Sequence, residues 1–295
     1  MILHMSFPSP KSFIVIIVAL AMANFSTSPV QADSKAGDVE WVAHRGESYD
    51  APENTLSAIN LAWERGVDAA EFDIHLTKDN RLIGIHDKDT LRVTGGEENG
   101  GTKRIVKDET VESLQKLDVG TCKDAKFAGE KMPTFEEVLA TAPKDASRRF
   151  FIEIKVGPES ADAFVEAIEK ARLPVEQTAM ISFNIDTCRE IKKRLPDMKV
   201  YYLADFKPNK ETGKVITAEE LIQTAKDANL DGLDLSFKGP IDAAFVKKVK
   251  DAGLEMYVWT VDDPKVARRM INAGVDGITS NRAQWLKKQV AGPSL

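Results

Sequence analysis

The chain of 295 residues carries only two cysteines, Cys122 and Cys188, and four histidines. Two thiols can at most pair once, so a disulfide framework is excluded and stability has to come from a packed core. Net positive charge is also missing: 40 Lys and Arg against 46 Asp and Glu leave −6. That balance is a poor match for nucleic acid or an anionic membrane surface. The apolar run SFIVIIVALAMA, 12–23, is too short to span a bilayer comfortably. No internal repeat or low-complexity tract appears. What is present, 43% hydrophobic and 29% charged residues, is ordinary globular composition, with enough chain for one large α/β domain or two small ones.

The short apolar run follows Lys11 and precedes a polar stretch ending Val30-Gln31-Ala32. A positive start, an apolar core and a small-residue end predict a secretory signal peptide over 1–32, cleaved after Ala32. No Cys precedes residue 122, which argues against a lipid-modified N-terminus. The mature domain, 33–295, is therefore expected to be secreted or periplasmic, with no stable membrane insertion once the signal is removed. Losing Lys11 takes the net charge from −6 to −7.

From residue 39 onward short apolar runs alternate with helix-like segments. Strands are expected at 40–44, 69–73, 149–155, 178–183, 199–204, 230–236, 254–260 and 275–280. Helices with clear period lie between most of them. Asn54, Asp186, Thr217, Asp242 and Asp263 stand where N-caps are wanted, and Gly66, Gly253 and Gly274 where helices should stop. Eight strands with intervening helices spell a (β/α)8 TIM barrel. The exception is an insertion at about 74–148, after the second strand, expected to cap the C-terminal mouth. It opens with IHLTKDNRLIGIH, two strand-like arms too close in sequence to be parallel, hence an antiparallel hairpin. A two-residue turn at Asp79-Asn80 would set Asp73 opposite His86; a three-residue loop would shift that pairing by one.

Barrel chemistry gathers at the strand ends, and these ends are unusual. The first strand ends in His44-Arg45-Gly46, the second in Glu71 and Asp73, two apart and so on one face. The strand at 149–155 carries Glu153 and Lys155 with the same spacing, while Phe150, Ile152 and Ile154 face the outer helices. Three converging carboxylates cannot all stay ionised in a cleft without a counter-ion. All-oxygen ligation suits Mg²⁺ or Ca²⁺, with Mn²⁺ a third option, rather than Zn²⁺. Beside such an ion Arg45 and Lys155 would clamp a phosphate, and two histidines would supply an acid and a base. His75 lies higher up the hairpin, as a bystander or a participant. Together the parts describe phosphoryl-ester hydrolysis.

The stretch AHRGESYDAPENTLSAINLAWERGVDAAEFDIHLTKDNRLIGIHDKDTLRVTGG closely resembles the signature of the glycerophosphodiester phosphodiesterase family. The likeness continues through KMPTFEEVL (131–139), FFIEIK (150–155), ISF (181–183), YVWTV (257–261) and GVDGITS (274–280). It implies a metal-dependent (β/α)8 barrel with a small inserted subdomain that splits glycerophospho-alcohols into glycerol 3-phosphate and alcohol. It implies further that His44 and His86 are the general acid and base, that Glu71, Asp73 and Glu153 hold the metal, and that Arg45 and Lys155 bind phosphate. Trp259 matches a family aromatic in the substrate cleft. The chain departs from the family at Asn80, where Gly is usual, and at TSNRA (279–283), where an Asp and a Pro often follow the last-strand Thr. Two rivals are weaker. A phospholipase D-like enzyme acting on lysolipids or sphingomyelin should show an apolar rim, yet 97–109 is polar. A non-catalytic phosphate-ester binding protein would have no use for both histidines.

Overall fold

The computed structural model describes residues 39–291 apart from Glu211; the expected signal peptide lies outside the described residues. The described residues hold nine strands: β1 Glu40–Ala43, β2 Ala69–Leu76, β3 Leu82–Gly84, β4 Arg149–Ile154, β5 Thr178–Ser182, β6 Lys199–Ala204, β7 Gly232–Ser236, β8 Glu255–Trp259 and β9 Gly277–Ser280. Eight of them run parallel in the order β1-β9-β8-β7-β6-β5-β4-β2, and pairing of β1 with β2 closes the ring. This is the expected (β/α)8 barrel. The ninth, β3, pairs antiparallel with the outer half of β2 and stands above the barrel. Among the described residues no helix is long and apolar enough to cross a membrane.

Period-two alternation sorts the side chains. Phe72, Ile74, Phe150, Ile152 and Ile154 point outward into the main core with the helices, while Val42, Phe151, Ala179, Tyr201, Leu203 and Tyr257 fill the barrel interior. Phe150 packs edge-on against Trp63 and Phe72 at centroid distances of 5.2 and 5.9 Å. Burying each such ring contributes about 1.5–3 kcal/mol. At the N-terminal end Arg149 donates to both Glu40 carboxylate oxygens, at 2.8 and 2.6 Å, and to the Tyr257 hydroxyl at 2.7 Å.

The insertion builds its own small core from Ile83, Ile85, Val106, Leu114, Val119 and Met132. Its last helix, Phe135–Leu139, returns to the main core, with Phe135 stacked on Phe164 at 5.4 Å. The hairpin differs from the two-residue turn expected. Leu76 faces Leu82 and Thr77 N–H bonds Arg81 O, which leaves 78–80 as a three-residue loop with Asn80 left-handed at φ 55°. The register moves by one, so Asp73 O accepts from Ile85 N rather than facing His86.

Two helices start one or two residues away from the expected caps. Thr55, not Asn54, caps the helix Leu56–Arg65, and Asn184, not Asp186, caps Ile185–Arg194. A further helix, Ala283–Ala291, follows β9 and has no counterpart among the expected elements. Cys122 is exposed, Cys188 buried, and both are free thiols, so no bridge joins them.

Candidate active site

The residues expected to form the site, His44, Arg45, Glu71, Asp73, His86, Glu153, Lys155 and Trp259, come together at the C-terminal mouth. A cavity of about 240 Å³ there is lined by His44, Arg45, Glu71, His86, Glu153, Lys155 and Trp259, among others. Asp73 lies directly beneath, fully buried. Carboxylate oxygens of Glu71, Asp73 and Glu153 sit within 4.8 Å of one another. Inward-facing alternation puts Glu71 and Asp73 on one face of β2, and the parallel register of β2 and β4 sets Glu153 beside Asp73.

Backbone geometry brings Arg45 into this cluster. It adopts a left-handed conformation (φ 55°), uncommon outside glycine, and its N–H thereby reaches Glu71 Oε2 at 2.7 Å. Gly46 follows, also left-handed at φ 75°, and a Cβ there would stand 2.5 Å from the backbone of Ala58. Only glycine lets the β1 loop lie this close to the helix behind it. The Arg45 guanidinium contacts Asp73 at 3.3 Å and Glu53 at 2.9 Å; Lys155 Nζ lies 2.6 Å from Glu153 and 3.5 Å from Asp73.

Three acids share two cations, and their ionisation divides accordingly. Burial and the negative charges of Asp73 and Glu153 hold Glu71 well above the usual carboxylate range. Burial, followed by Asp73, pushes Glu153 up to about 8. Burial acts the same way on Asp73, but Lys155, Arg45 and His86 outweigh it and hold that carboxyl well below its ordinary value. Glu71 Oε1 and Asp73 Oδ1 are buried without a hydrogen-bond donor. Buried carboxylate oxygens lacking donors, in an oxygen-only cluster, fit a hard divalent cation.

The two histidines are oriented by different partners. His44 Nδ1 lies 2.6 Å from Asn281 Oδ1, and the Asn281 amide donates to Asp262 at 2.6 Å, which fixes Oδ1 as the acceptor. His44 therefore donates from Nδ1 and presents Nε2 as a lone pair. Burial, then the charge of Arg45, push it down to about 4. His86 donates from Nδ1 to the Asp87 carboxylate at 2.7 Å. Asp87 accepts from Arg92, Arg92 donates twice to Glu53, and Glu53 returns to Arg45, all within 2.6–2.9 Å. His75 does not enter the cavity; its Nε2 donates to His86 O at 3.1 Å and so braces the strand beneath His86.

Sequence reasoning missed several supports. Asn54 is itself left-handed (φ 56°) and grips Asp73 twice: Nδ2 donates to Oδ2 at 2.8 Å, and Oδ1 accepts from its N–H at 2.9 Å. Glu53, Arg92, Asp262 and Asn281 were also passed over, although the unusual TSNRA segment marked the position of Asn281. Trp259 is anchored by a hydrogen bond from Nε1 to Asp234 O at 3.0 Å and meets Phe183 edge-on at 5.6 Å.

Comparison with known proteins agrees with this geometry. The profile of the "Glycerophosphoryl diester phosphodiesterase family" matches residues 44–284. A glycerophosphodiester phosphodiesterase of Caldanaerobacter subterraneus subsp. tengcongensis is 35% identical over 250 residues, covering 83% of this chain and 95% of that protein. The crystal structure of a glycerophosphodiester phosphodiesterase from Parabacteroides distasonis has a TM-score of 0.68 at 29% identity, covering 86% of this chain and 97% of the other. An Oleispira antarctica phosphodiesterase, solved in complex with the product sn-glycerol-3-phosphate, has a TM-score of 0.74 and covers 86% and 97%; at 24% identity that likeness shows the shared fold. On the match across residues 44–284 and the 35% identical relative, the chain belongs to the glycerophosphoryl diester phosphodiesterase family of enzymes.

Proposed function

We propose that the protein hydrolyses glycerophosphodiesters to glycerol 3-phosphate and an alcohol, with a divalent cation (Ca²⁺, Mg²⁺ or Mn²⁺) at Glu71, Asp73 and Glu153 and with His44 and His86 carrying the protons. The observation that supports this best is the buried carboxylate cluster with two donorless oxygens, flanked by two cationic side chains and two histidines on one cavity. A cation in that cluster would stabilise the negative charge that builds on the phosphoryl oxygens. Arg45 and Lys155 hold the phosphate and orient it. His44, neutral with Nε2 free, takes the proton from the attacking hydroxyl. Burial lowers the pKa of His86 as well, but the Asp87 carboxylate that accepts from its Nδ1–H, together with Asp73, opposes that shift, and His86 delivers a proton to the leaving alkoxide. The expected export of the chain would place the reaction outside the cytoplasm.

Incubation with glycerophosphocholine, followed by measurement of free glycerol 3-phosphate, tests the reading. Product should appear, vanish in EDTA and return with one of the three cations. Full turnover in exhaustive chelator would overturn the metal requirement, and no product with any cation would overturn the activity. His44→Ala and His86→Ala should each lose about 10²–10⁴-fold in kcat, with KM changed much less because Arg45 and Lys155 remain. A nitrophenyl phosphodiester, whose leaving group needs no proton, should rescue the His86 variant and not the His44 variant. The reverse pattern would exchange the two roles.

A further inference from the structure

A buried carboxyl in the far wall of the catalytic cavity is used by nothing above. Asp234 sits on β7, 1% exposed, and lines the same space as His44, Arg45 and Trp259. Three steps around the ring separate β1 from β7, and four separate β7 from β2. Asp234 therefore faces Glu71 and Asp73 across the barrel axis. Its register partners on the adjoining strands are Leu203, which is apolar, and Tyr257, whose hydroxyl is already engaged by Arg149 and Glu40. Its Oδ1 has no hydrogen-bond partner. Burial alone acts on this carboxyl and pushes it up to about 8, so it stands as a neutral acid with one O–H donor and free acceptor capacity.

A buried polar atom in a cavity wall with no protein partner is open to one from a bound ligand. The cation cluster and the phosphate clamp occupy the β2–β4 side, so the β7 side faces the carbon part of a bound ester. A second, more open groove of about 430 Å³ adjoins the cavity, sharing Asp205, Lys207, Trp259 and Thr260. The variable alcohol has room there, which leaves the deep wall to the unit every substrate shares. We infer that Asp234 binds a hydroxyl of the glycerol unit, reaching it from the wall opposite the phosphate clamp. A neutral carboxyl suits a hydroxyl, since each can donate and accept; an ammonium group would need the ionised form. This inference rests on the phosphodiesterase function proposed above.

Calorimetry of the full chain with Mg²⁺ present, using sn-glycerol 3-phosphate and propyl phosphate, tests it. Both ligands carry the phosphate, and propyl phosphate lacks both hydroxyls. The wild type should bind glycerol 3-phosphate about 10–100-fold more tightly. Asp234→Ala should erase that preference by weakening glycerol 3-phosphate alone, whereas Asp234→Asn, which keeps a donor and an acceptor, should retain most of it. Asp234→Leu fills the wall and serves in place of the alanine variant if the latter does not fold. Equal weakening of both phosphates, an undiminished preference in the alanine or leucine variant, or an asparagine variant as impaired as alanine would each overturn the assignment. A wild type that hydrolyses glycerophosphocholine while giving one of those results refutes the role of Asp234 alone. A wild type that neither hydrolyses it nor binds either phosphate refutes the phosphodiesterase reading.

Discussion

Glu153 stands between two pulls, the buried wall that disfavours its charge and Lys155, which favours it at 2.6 Å. Burial wins while no cation is bound, and the carboxyl rises from 4.5 to about 8. The folded state then keeps a proton that the unfolded chain has lost above pH 4.5, so stability should fall as pH rises from about 4.5 to 8. A divalent cation replaces that proton and should raise Tm more at pH 8 than at pH 5. Glu153→Gln should reduce the metal-free pH dependence to the share that Glu71 carries, and weaken cation binding while leaving the barrel folded, as thermal melts with and without Mg²⁺ or Ca²⁺ would show. A Gln variant with the wild-type pH slope would place the proton elsewhere. At this scale the charged residues of the candidate site were legible because strand alternation alone puts Glu71 with Asp73, and Glu153 with Lys155. Asn54 was not. Beside a threonine at a helix start it looks like a cap, and only the fold reveals that its amide grips a carboxylate 19 residues away.

The hairpin shows what an element owes to its surroundings. Its two arms were plain in the sequence, yet the loop between them came out one residue longer than expected. The reason lies outside the hairpin. Lys78 N–H bonds Glu109 O at 2.9 Å, and Asp79 accepts from Thr77 Oγ1 at 2.7 Å and from Val111 N at 3.2 Å. The loop is thus tied to a segment some 30 residues on, which no local turn preference can foresee. Asn80 absorbs the left-handed residue this loop needs. Asn80→Gly should be tolerated, whereas Asn80→Val should cost about 1–2 kcal/mol, because a β-branched side chain resists positive φ. Urea melts of both variants would check this, and equal midpoints would mean the loop is not so constrained.

Across the whole molecule, chemistry and fastening occupy opposite ends of the barrel. Arg149 and Glu153 lie on one strand about 13 Å apart along its axis. Around Arg149 the Glu40 carboxylate, the Tyr257 hydroxyl and the Phe151 ring close the N-terminal end. Arg149→Ala leaves Glu40 half-buried without its counter-ion and should cost about 3–5 kcal/mol of stability. Turnover per folded molecule should be unchanged, which kinetics well below the lowered Tm would show; a matching loss of kcat would mean the two ends are coupled. The barrel itself was readable from eight apolar runs with helices between them. Beyond its opening hairpin the inserted subdomain was readable only as an interruption, since its core rests on scattered apolar residues such as Val106 and Met132 with no shared period.

The run of alternating charge from Arg45 through Glu53, Arg92 and Asp87 to His86 joins the β1 loop to the inserted subdomain. A histidine carried on a surface excursion would be expected to travel as a cassette between related barrels. Here it would arrive misaligned unless the recipient already offered a Glu53 to receive Arg92, because half of what aims the ring is encoded in the host barrel and half in the graft.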